Sequence, residues 1–274
     1  MQFNEAQIQA IQHNTGPCMV IAGPGSGKTT VLTHRVRYLI ERYGVNPSDI
    51  LVITFTKAAA EQMKLKFKGL SEGRNSAVTF GTFHAVFFTI LKAAYNYSAH
   101  CIIKPQIQHE FVKDQMCRLE LEYDDENEAV AGVLSEISCV KGEDVNIDEY
   151  ESRCIPPQSF RIMYRAYDDM LVRKHLIDFD DMIVQCRELL MQREDYRRAW
   201  QNKYKYILID EFQDINKVQY EIVRMLAGKG DHLFIVGDDD QSIYRFRGAR
   251  PEIMLGFEKD YPDAKKVILN TNYR

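Results

Sequence analysis

The sequence lacks any apolar run long enough to cross a membrane. The longest one, around Ala85 to Leu91, is far shorter than the roughly 20 residues that a transmembrane helix needs. Residues 1–5 also lack the basic start and apolar centre of a signal peptide. The six cysteines include no Cys-x-x-Cys pair and no zinc-like grouping with histidine. We therefore expect no membrane partner, and scattered thiols of this kind are typical of a reducing cytoplasm.

Positive charge is in slight deficit, since 35 Lys and Arg residues face 39 Asp and Glu residues, for a net charge of −4. This charge is unevenly distributed, because residues 120–151 hold twelve acidic side chains and a single basic one, Lys141. The rest of the chain is therefore net positive, which leaves room for a basic groove that binds nucleic acid. The acidic segment itself fits an ordinary solvated surface.

A phosphate-binding pattern, CMVIAGPGSGKTT, occupies residues 18–30. Five apolar residues typical of a buried strand run into a glycine-rich turn, and helical periodicity begins at Lys28. Glycines allow backbone N–H groups to surround phosphate oxygens, and a helix N-terminus adds partial positive charge. In such a loop Lys28 would reach the outer phosphates and the Thr29 hydroxyl would ligate magnesium. The residues predicted to bind the nucleotide are Gly23, Gly25, Ser26, Gly27, Lys28, Thr29 and Thr30.

Two details of this loop affect the prediction. Ala22 stands where the usual template begins with glycine, a tolerated variant. A glycine-rich turn without a ligand is the alternative, but the strand before it and the helix after it favour nucleotide binding.

An acidic pair, Asp210-Glu211, follows the apolar stretch Tyr206 to Ile209. An apolar strand that ends in Asp-Glu is common on its own, but it is also the expected partner of a phosphate loop. Asp210 would hold magnesium through water, and Glu211 would take a proton from the attacking water.

Strand and helix signals alternate at both ends of the chain. Strands are predicted at 18–22, 51–55, 78–80, 206–209, 233–236 and 267–269. Between 87 and 190 the strand signals stop, and helices are predicted at 107–121, 127–140, 157–176 and 179–192. We interpret the chain as an α/β domain with a parallel sheet (1–86 plus 191–274), interrupted by a mainly helical subdomain (87–190).

Caps, end signals and apolar stripes describe three of the predicted helices in more detail. A helix over 3–13, capped by Asn4, would bury Phe3, Ile8 and Ile11 and leave Gln7 at the surface. The helix from Lys28 would end near Gly44. The helix over 179–192, capped by Asp178, would place Phe179 on the same apolar stripe as its buried residues.

A polar segment follows the strand at 233–236. Its three adjacent aspartates, 238–240, lack the ligand spacing of a metal site. The alternation of Tyr244, Arg245, Phe246 and Arg247 suits stacking on bases together with phosphate contact, or else an ordinary amphipathic edge.

Seven stretches in this order resemble the motifs of the UvrD/Rep/PcrA family of superfamily 1 helicases, over nearly the whole chain. They are FNEAQ, AGPGSGKTT, TFT, GTFH, ILIDEFQD, VGDDDQSIYRFRGA and NYR. Several unrelated short patterns in one order are very unlikely to arise by chance. The resemblance implies a RecA-like P-loop NTPase fold with ATP and Mg²⁺ as cofactors and with single-stranded or partial-duplex DNA as partner.

The resemblance also implies roles for individual residues. Gln7 would read adenine, Arg35 would help to hold the base, and Tyr273 would pack against it. Gln241 would sense the γ-phosphate and link hydrolysis to the DNA site, and Arg274 would be the first arginine finger. The residues implied to contact DNA are Phe55, Thr82, Phe83, His84, Tyr244, Phe246 and Arg247.

The chain resembles the N-terminal half of such an enzyme, domain 1A with accessory subdomain 1B, and would lack the second RecA-like domain (2A/2B). The implied activity is that of an ATP-driven 3′-to-5′ translocase or helicase on single-stranded DNA. We expect this chain alone to bind nucleotide and DNA, to hydrolyse little ATP and to unwind nothing. Two alternatives stay open, a motor segment of a helicase-nuclease subunit and a nucleotide-gated DNA-binding module without turnover. A general P-loop kinase would leave DEFQD and GDDDQSIYRFRGA unexplained.

Overall fold

A six-stranded sheet forms the centre of the computed structural model, which describes residues 3–71, 77–238 and 251–273. Its strands are β1 (Cys18–Ala22), β2 (Ile50–Thr54), β3 (Thr79–Thr82), β4 (Tyr206–Ile209), β5 (Leu233–Gly237) and β6 (Lys265–Leu269). The strand order is β3-β2-β4-β5-β1-β6, and every neighbouring pair is parallel. The predicted α/β fold with a parallel sheet is confirmed.

Helices connect the strands and cover both faces of the sheet. They are α1 (Glu5–Gln12), α2 (Lys28–Tyr43), α3 (Lys57–Leu70), α4 (Phe83–Ala94), α5 (Pro105–Arg118), α6 (Glu126–Glu143), α7 (Pro157–Arg173), α8 (Phe179–Gln192), α9 (Glu194–Lys203), α10 (Lys217–Ala227) and α11 (Pro251–Asp260). The four helices predicted between 107 and 192 match α5 to α8 to within three residues at each end. Neither α9 nor α10 was predicted.

Local signals explain where several helices begin and end. Asn4 and Asp178 form capping boxes at the N-termini of α1 and α8, because each side chain accepts from a backbone N–H of the first turn. Gly44 ends α2 in the left-handed region, at φ 65°, which a residue without a Cβ adopts easily. These predicted caps are confirmed.

Alternate side chains of the central strands enter two hydrophobic clusters, one on each face of the sheet. On one face, Leu51, Ile207 and Ile235 pack with α4, α8 and α10. On the other face, Val52 and Leu208 pack with α1, α2 and α3. Because both faces are covered, the strands are almost uninterrupted apolar runs.

A third hydrophobic cluster lies apart from the sheet and is formed by α5, α6 and α7 with flanking residues, from Ile103 to Leu171. The predicted helical subdomain, 87–190, is wider than this cluster. Phe87 and Ile90 of α4 and Ile183 and Cys186 of α8 pack in the cluster of the sheet instead. The apolar stripe of a helix shows that it is buried, but not which body it is buried against.

Two side-chain placements differ from those predicted. Ile8 is 40% exposed whereas Gln7 is 5% exposed, the reverse of the expected arrangement in α1. Phe179 is 53% exposed rather than buried with the stripe of α8. Gln7 is covered because its side chain donates to the carbonyl oxygen of Ser26 in the loop after β1. Phe179 contacts the ring of His84 on α4 edge to face instead of packing with the stripe of its own helix.

We call α5, α6 and α7 the helical block. A buried ion-pair network connects this block to α8, which packs on the sheet. The Nζ atom of Lys141, on α6, lies 3.0 Å from Asp178 and 2.7 Å from Asp181, both at the start of α8. It also lies 3.1 Å from Asp168 of α7. We call these four residues the Lys141 network.

No helix among the residues that the structure describes is long and apolar enough to cross a membrane.

Candidate nucleotide and nucleic-acid site

Several of the predicted site residues that the structure describes lie along one edge of the sheet, where the carboxyl ends of the parallel strands meet. In spatial order, β3 leads to Thr82, β2 to Phe55, β4 to Asp210, β5 to Asp238 and β1 to the phosphate loop. In open α/β sheets this edge is where ligands bind. The strand order therefore places Thr82 and Phe55, two of the residues predicted to contact DNA, at one end, the phosphate loop toward the other, and the acidic pair between them.

The phosphate loop has the backbone geometry that its glycines permit. Gly25 and Gly27 have φ values of 76° and 90°, a region that L side chains rarely adopt. Ser26 is buried, and its hydroxyl donates to the carbonyl oxygen of Gly23 over 2.6 Å. Helix α2 then begins at Lys28, with no acidic residue in its first turn. The predicted order of strand, loop and helix is confirmed, and the N–H groups at the start of α2 suit an anion.

Lys28 and Glu211 meet across the sheet edge. The Nζ atom of Lys28 donates to Oε2 of Glu211 over 2.8 Å, although 183 positions separate them in sequence. The Lys28 side chain is only 13% exposed, so this ion pair is partly shielded from water. The structure therefore brings the proposed phosphate-binding lysine and the proposed general base into direct contact.

Gln213 holds Glu211 from the other side and was not assigned a role from the sequence. Its Nε2 atom donates to Oε2 of Glu211 over 2.9 Å, and its Oε1 atom accepts from the backbone N–H of Asp238 over 3.0 Å. A Cβ at Gly237 would lie 2.7 Å from that Oε1, so only glycine leaves room for this bridge. Gln213 thus connects the acidic pair to the end of β5.

The backbone of Glu211 lies in the left-handed region, with φ 51° and ψ 45°. This conformation is uncommon for a residue with a Cβ, and such outliers concentrate at functional sites. It turns the chain directly after β4 and directs the carboxylate toward Lys28. The position of Gln213 two residues later in DEFQD is the signal that could have identified it.

Asp210 is buried, with 4% of its surface exposed, and its Oδ1 atom has no hydrogen-bond partner. Burial, with the adjacent charge of Glu211, raises the pKa of Asp210 to about 7, and Lys28 opposes this shift. A buried carboxylate oxygen without a partner fits a divalent cation, and Thr29 lines the same cavity of about 320 Å³. Asp210, through water, and Thr29 would hold the ion.

A substitution tests this account of Asp210. Because its pKa in the folded state lies above the ordinary value of 3.8, the folded state binds this proton more tightly, and stability falls as the pH rises from about 4 to 7. We expect Asp210→Asn, which removes the buried charge, to raise the free energy of unfolding by about 4 kcal/mol at pH 8 and by less than half as much at pH 5, since each unit of pKa shift corresponds to about 1.4 kcal/mol. Urea denaturation at both pH values measures the difference. Equal stability of the two proteins at pH 8 would contradict the assigned pKa.

Gln7 and Tyr273 lie beside the phosphate loop, on the side away from Asp210. The Gln7 side chain donates to the carbonyl oxygen of Ser26 over 3.2 Å. The backbone N–H of Tyr273 donates to the carbonyl oxygen of Gly25 over 3.0 Å, and the Tyr273 hydroxyl accepts from Asn4 over 2.9 Å. The two residues implied to contact adenine therefore approach the same turn of the loop. Their contact with a base stays a prediction.

Arg35 has a different position from the one that the resemblance implies. Its side chain is 1% exposed and packs over the ring of Phe234, 4.3 Å from the ring centroid. It donates to the carbonyl oxygens of Ala10 and His13 at the end of α1. A guanidinium held in the core by these contacts cannot also hold a base at the loop. Arg35 instead anchors α1, the helix that positions Gln7.

At the other end of the sheet edge, a groove of about 660 Å³ separates the sheet domain from the helical block. We call it the aromatic groove. Its aromatic lining comprises Phe55, Phe83, His84, Tyr167 and Phe179. Phe55 contacts Phe83 edge to face at 5.6 Å, and His84 contacts Phe179 in the same way at 5.4 Å. The groove and the cavity beside Asp210 share Phe55 and Asp214 in their walls.

Two residues implied to contact DNA, Thr82 and Phe83, have distinct environments here. The Thr82 hydroxyl caps α4 by accepting from the N–H of Ala85. Phe83 is 2% exposed and packs between Phe55 and Phe87, so it supports the groove rather than offering a face for stacking. Exposed Phe179 offers such a face instead. No local sequence signal separated it from the buried residues of its helix.

Five residues whose roles the family resemblance implies lie outside the described part of the chain. They are Gln241, Tyr244, Phe246, Arg247 and Arg274. Their roles stay predictions. The structure describes the residues that lead to them, Asp238 after β5 and Tyr273 after β6.

The sequence of the chain is similar to the sequences of known helicases. The sequence profile of the UvrD/REP helicase N-terminal domain matches residues 3–262. The YjcD protein of Bacillus subtilis (strain 168) is 39% identical over 284 residues, which cover 99% of this chain and 36% of YjcD. The ATP-dependent DNA helicase PcrA of Staphylococcus epidermidis is 35% identical over 284 residues, which cover 99% of this chain and 38% of PcrA. The chain thus spans well under half the length of these relatives. Since the family profile matches nearly all of it, this chain belongs to the UvrD/REP helicase family and corresponds to the N-terminal domain.

Proposed function

We propose that the chain is the ATP- and Mg²⁺-binding motor domain of a 3′-to-5′ translocase or helicase that acts on single-stranded DNA. The sheet domain corresponds to domain 1A of such an enzyme, and α5 to α7 form the accessory subdomain 1B. The names of the relatives support ATP dependence and DNA as the substrate. The polarity follows from the family resemblance. Taken alone, this chain binds both ligands, hydrolyses ATP slowly and does not unwind DNA.

The contact between Lys28 and Glu211 is the observation on which the proposal depends. When a nucleotide enters, Lys28 exchanges the carboxylate for the outer phosphates, where a lysine of a phosphate loop binds. Glu211 then loses its cation and can accept a proton from water beside the terminal phosphate. Gln213 keeps the carboxylate in place during this exchange, because it donates to the same oxygen.

Magnesium, when bound, neutralises phosphate charge during transfer. Asp210 and Thr29 are the side chains that would hold it. The ionised form of Asp210 is the one that binds a cation, and the ion would offset the cost of burying this charge.

The aromatic groove is the part of the proposed DNA site that the structure describes. Phe55 and Phe179 provide exposed ring surface, and stacking of a base on such a ring contributes roughly 1–3 kcal/mol. Asp180 lines the same groove, and its carboxylate would repel phosphates. The bases of a strand would therefore enter the groove while its backbone stays outside. The shared wall at Phe55 and Asp214 connects this groove to the nucleotide side.

Turnover distinguishes a motor domain from a nucleotide-gated module that only binds. We expect this chain to release phosphate slowly from ATP in a single-turnover assay with protein in excess, and an oligothymidine strand to accelerate the release. Glu211→Gln should lower the rate at least tenfold, since the amide cannot accept the proton from water, while the fluorescence anisotropy of the labelled strand still reports DNA binding.

Glu61→Gln is the matched control, because Glu61 is an exposed carboxylate on α3 that, among the described residues, pairs with Lys57 at 3.9 Å. Its phosphate release should equal that of the wild type. Unchanged release by Glu211→Gln would exclude Glu211 as the base. Binding of both ligands by the wild type without any release would favour the module that never turns over.

A further inference from the structure

Lys66 of α3 reaches across to the first turn of α2. Its Nζ atom donates to Oγ1 of Thr30 over 2.7 Å. Thr30 follows Lys28 and Thr29 directly, so this contact lies beside the phosphate loop. Lys64, Lys66 and Lys68 are all exposed, but of these three lysines only Lys66 donates to the phosphate-loop segment among the described residues.

The environment of Gly27 shows on which side of the loop Lys66 lies. A Cβ at Gly27 would be 3.9 Å from the Cβ of Thr30 and 3.3 Å from Nε2 of Gln7. Thr30 therefore lies on the side of Gln7, where the base is proposed to bind. Thr29, in contrast, lines the cavity beside Asp210 and Glu211, on the side of the metal and the terminal phosphate.

The charges around Lys66 favour an anionic ligand. Lys28 and the positive end of the α2 dipole lie in the same turn as Thr30, and that turn has no acidic residue. Glu211 balances Lys28, but no carboxylate pairs with Lys66 within the described part of the chain. Partial burial lowers the pKa of Lys66, and the Lys66 charge in turn contributes to lowering the pKa of His34, which burial lowers most.

We propose that Lys66 is a nucleotide-binding residue that contacts the α-phosphate. This inference rests on the proposed function. Lys28 occupies the side of the outer phosphates, and Gln7 occupies the side of the base. The α-phosphate is the anionic group between them, and an ammonium group is a suitable donor to a phosphate oxygen. Thr30 holds the amine toward this position by accepting its hydrogen bond.

The experiment compares Lys66→Met with Lys64→Met in isothermal titrations of ATP, ADP and AMP, with adenosine measured by competition. We expect Lys66→Met to weaken binding of ATP, ADP and AMP by the same factor, about tenfold, because all three have an α-phosphate. Adenosine binding should not change, and Lys64→Met should behave as the wild type. Lys66→Arg should retain most of the affinity, since it keeps a cation at this position.

Three results would overturn the proposal. Equal affinity of Lys66→Met and wild type for all ligands would show that Lys66 makes no contact. A loss for ATP and ADP but not AMP would place Lys66 on an outer phosphate. An equal loss of adenosine affinity would show that Lys66 acts on the base, on the ribose or through the fold. Thermal unfolding of Lys66→Met at the wild-type temperature would exclude an effect through the fold. Failure of the wild type to bind any nucleotide would instead reject the proposed function, and this inference with it.

Discussion

Replacing Lys28 with alanine is expected to weaken binding of ATP and ADP to this chain by about 100-fold. The ammonium group would make charge-assisted hydrogen bonds to the outer phosphates, and each such bond contributes about 1.5–3 kcal/mol. Alanine also leaves Glu211 near the phosphates without its cation, so like-charge repulsion adds to the loss. Isothermal titration with ATP and ADP measures the change.

The matched control for this prediction is Lys57→Ala. Lys57 also begins a helix at the sheet edge, but its side chain is 88% exposed and pairs with Glu61 on its own helix. It should retain the affinity of the wild type. AMP should respond less to Lys28→Ala than ATP does, because it has no outer phosphates. A uniform loss for ATP and AMP would contradict the assignment of Lys28 to the outer phosphates.

Replacing Lys141 with methionine is expected to lower the free energy of unfolding by about 3–5 kcal/mol at pH 8. The Lys141 side chain is 5% exposed, and three carboxylates lie within 3.1 Å of its Nζ atom. Breaking a buried ion pair by removing one partner leaves charges that nothing compensates, and this costs more than the pair itself contributes. Urea denaturation, followed by circular dichroism, measures the change.

The pH dependence of this loss is a second measurement on the same variant. Burial, with the nearby charge of Asp178, raises the pKa of Asp180 and of Asp181 to about 6. At pH 5 both carboxyls are largely protonated in the folded state and need no cation, so the loss should be smaller than at pH 8. The contribution of these two groups to stability falls as the pH rises from about 4 to 6, because the folded state binds their protons more tightly.

Lys205→Met serves as the control for the Lys141 network. Lys205 pairs with Asp49 at 2.9 Å, but its side chain is 58% exposed, and exposed pairs contribute less than about 1 kcal/mol. An equal loss for Lys141→Met at pH 5 and pH 8 would show that packing, rather than charge, explains its effect.

The phosphate loop illustrates what could be predicted from the sequence. Residues 18–30 contain the strand, the glycines and the lysine that this chemistry needs, within one contiguous stretch. Their local geometry follows from the conformations that each residue permits, such as the left-handed backbone at Gly25 and Gly27. The acidic pair after β4 could be predicted for the same reason. Four apolar residues indicate a buried strand, and the two acidic residues that follow directly mark its end at the edge of the sheet.

Arg35 and Phe179 illustrate what could not be predicted. Both lie on helices whose positions were predicted correctly. A guanidinium suits the base contact that was expected of Arg35, and an aromatic ring suits the burial that was expected of Phe179. Whether such a side chain is buried or exposed depends on the partner of the helix face. That partner comes from a distant part of the chain, Phe234 for Arg35 and His84 for Phe179.

The sequence by itself determined the order of strands and helices, the phosphate loop and the acidic pair, because each depends on residues close together in the chain. Only the tertiary structure decided which helices pack on the sheet and which form the separate block. It also decided that Lys28 contacts Glu211, that Gln213 connects Glu211 to β5, and that Lys66 reaches Thr30. These contacts join residues that the parallel sheet brings to one edge, and no local pattern records the partner of a side chain that lies many strands or helices away.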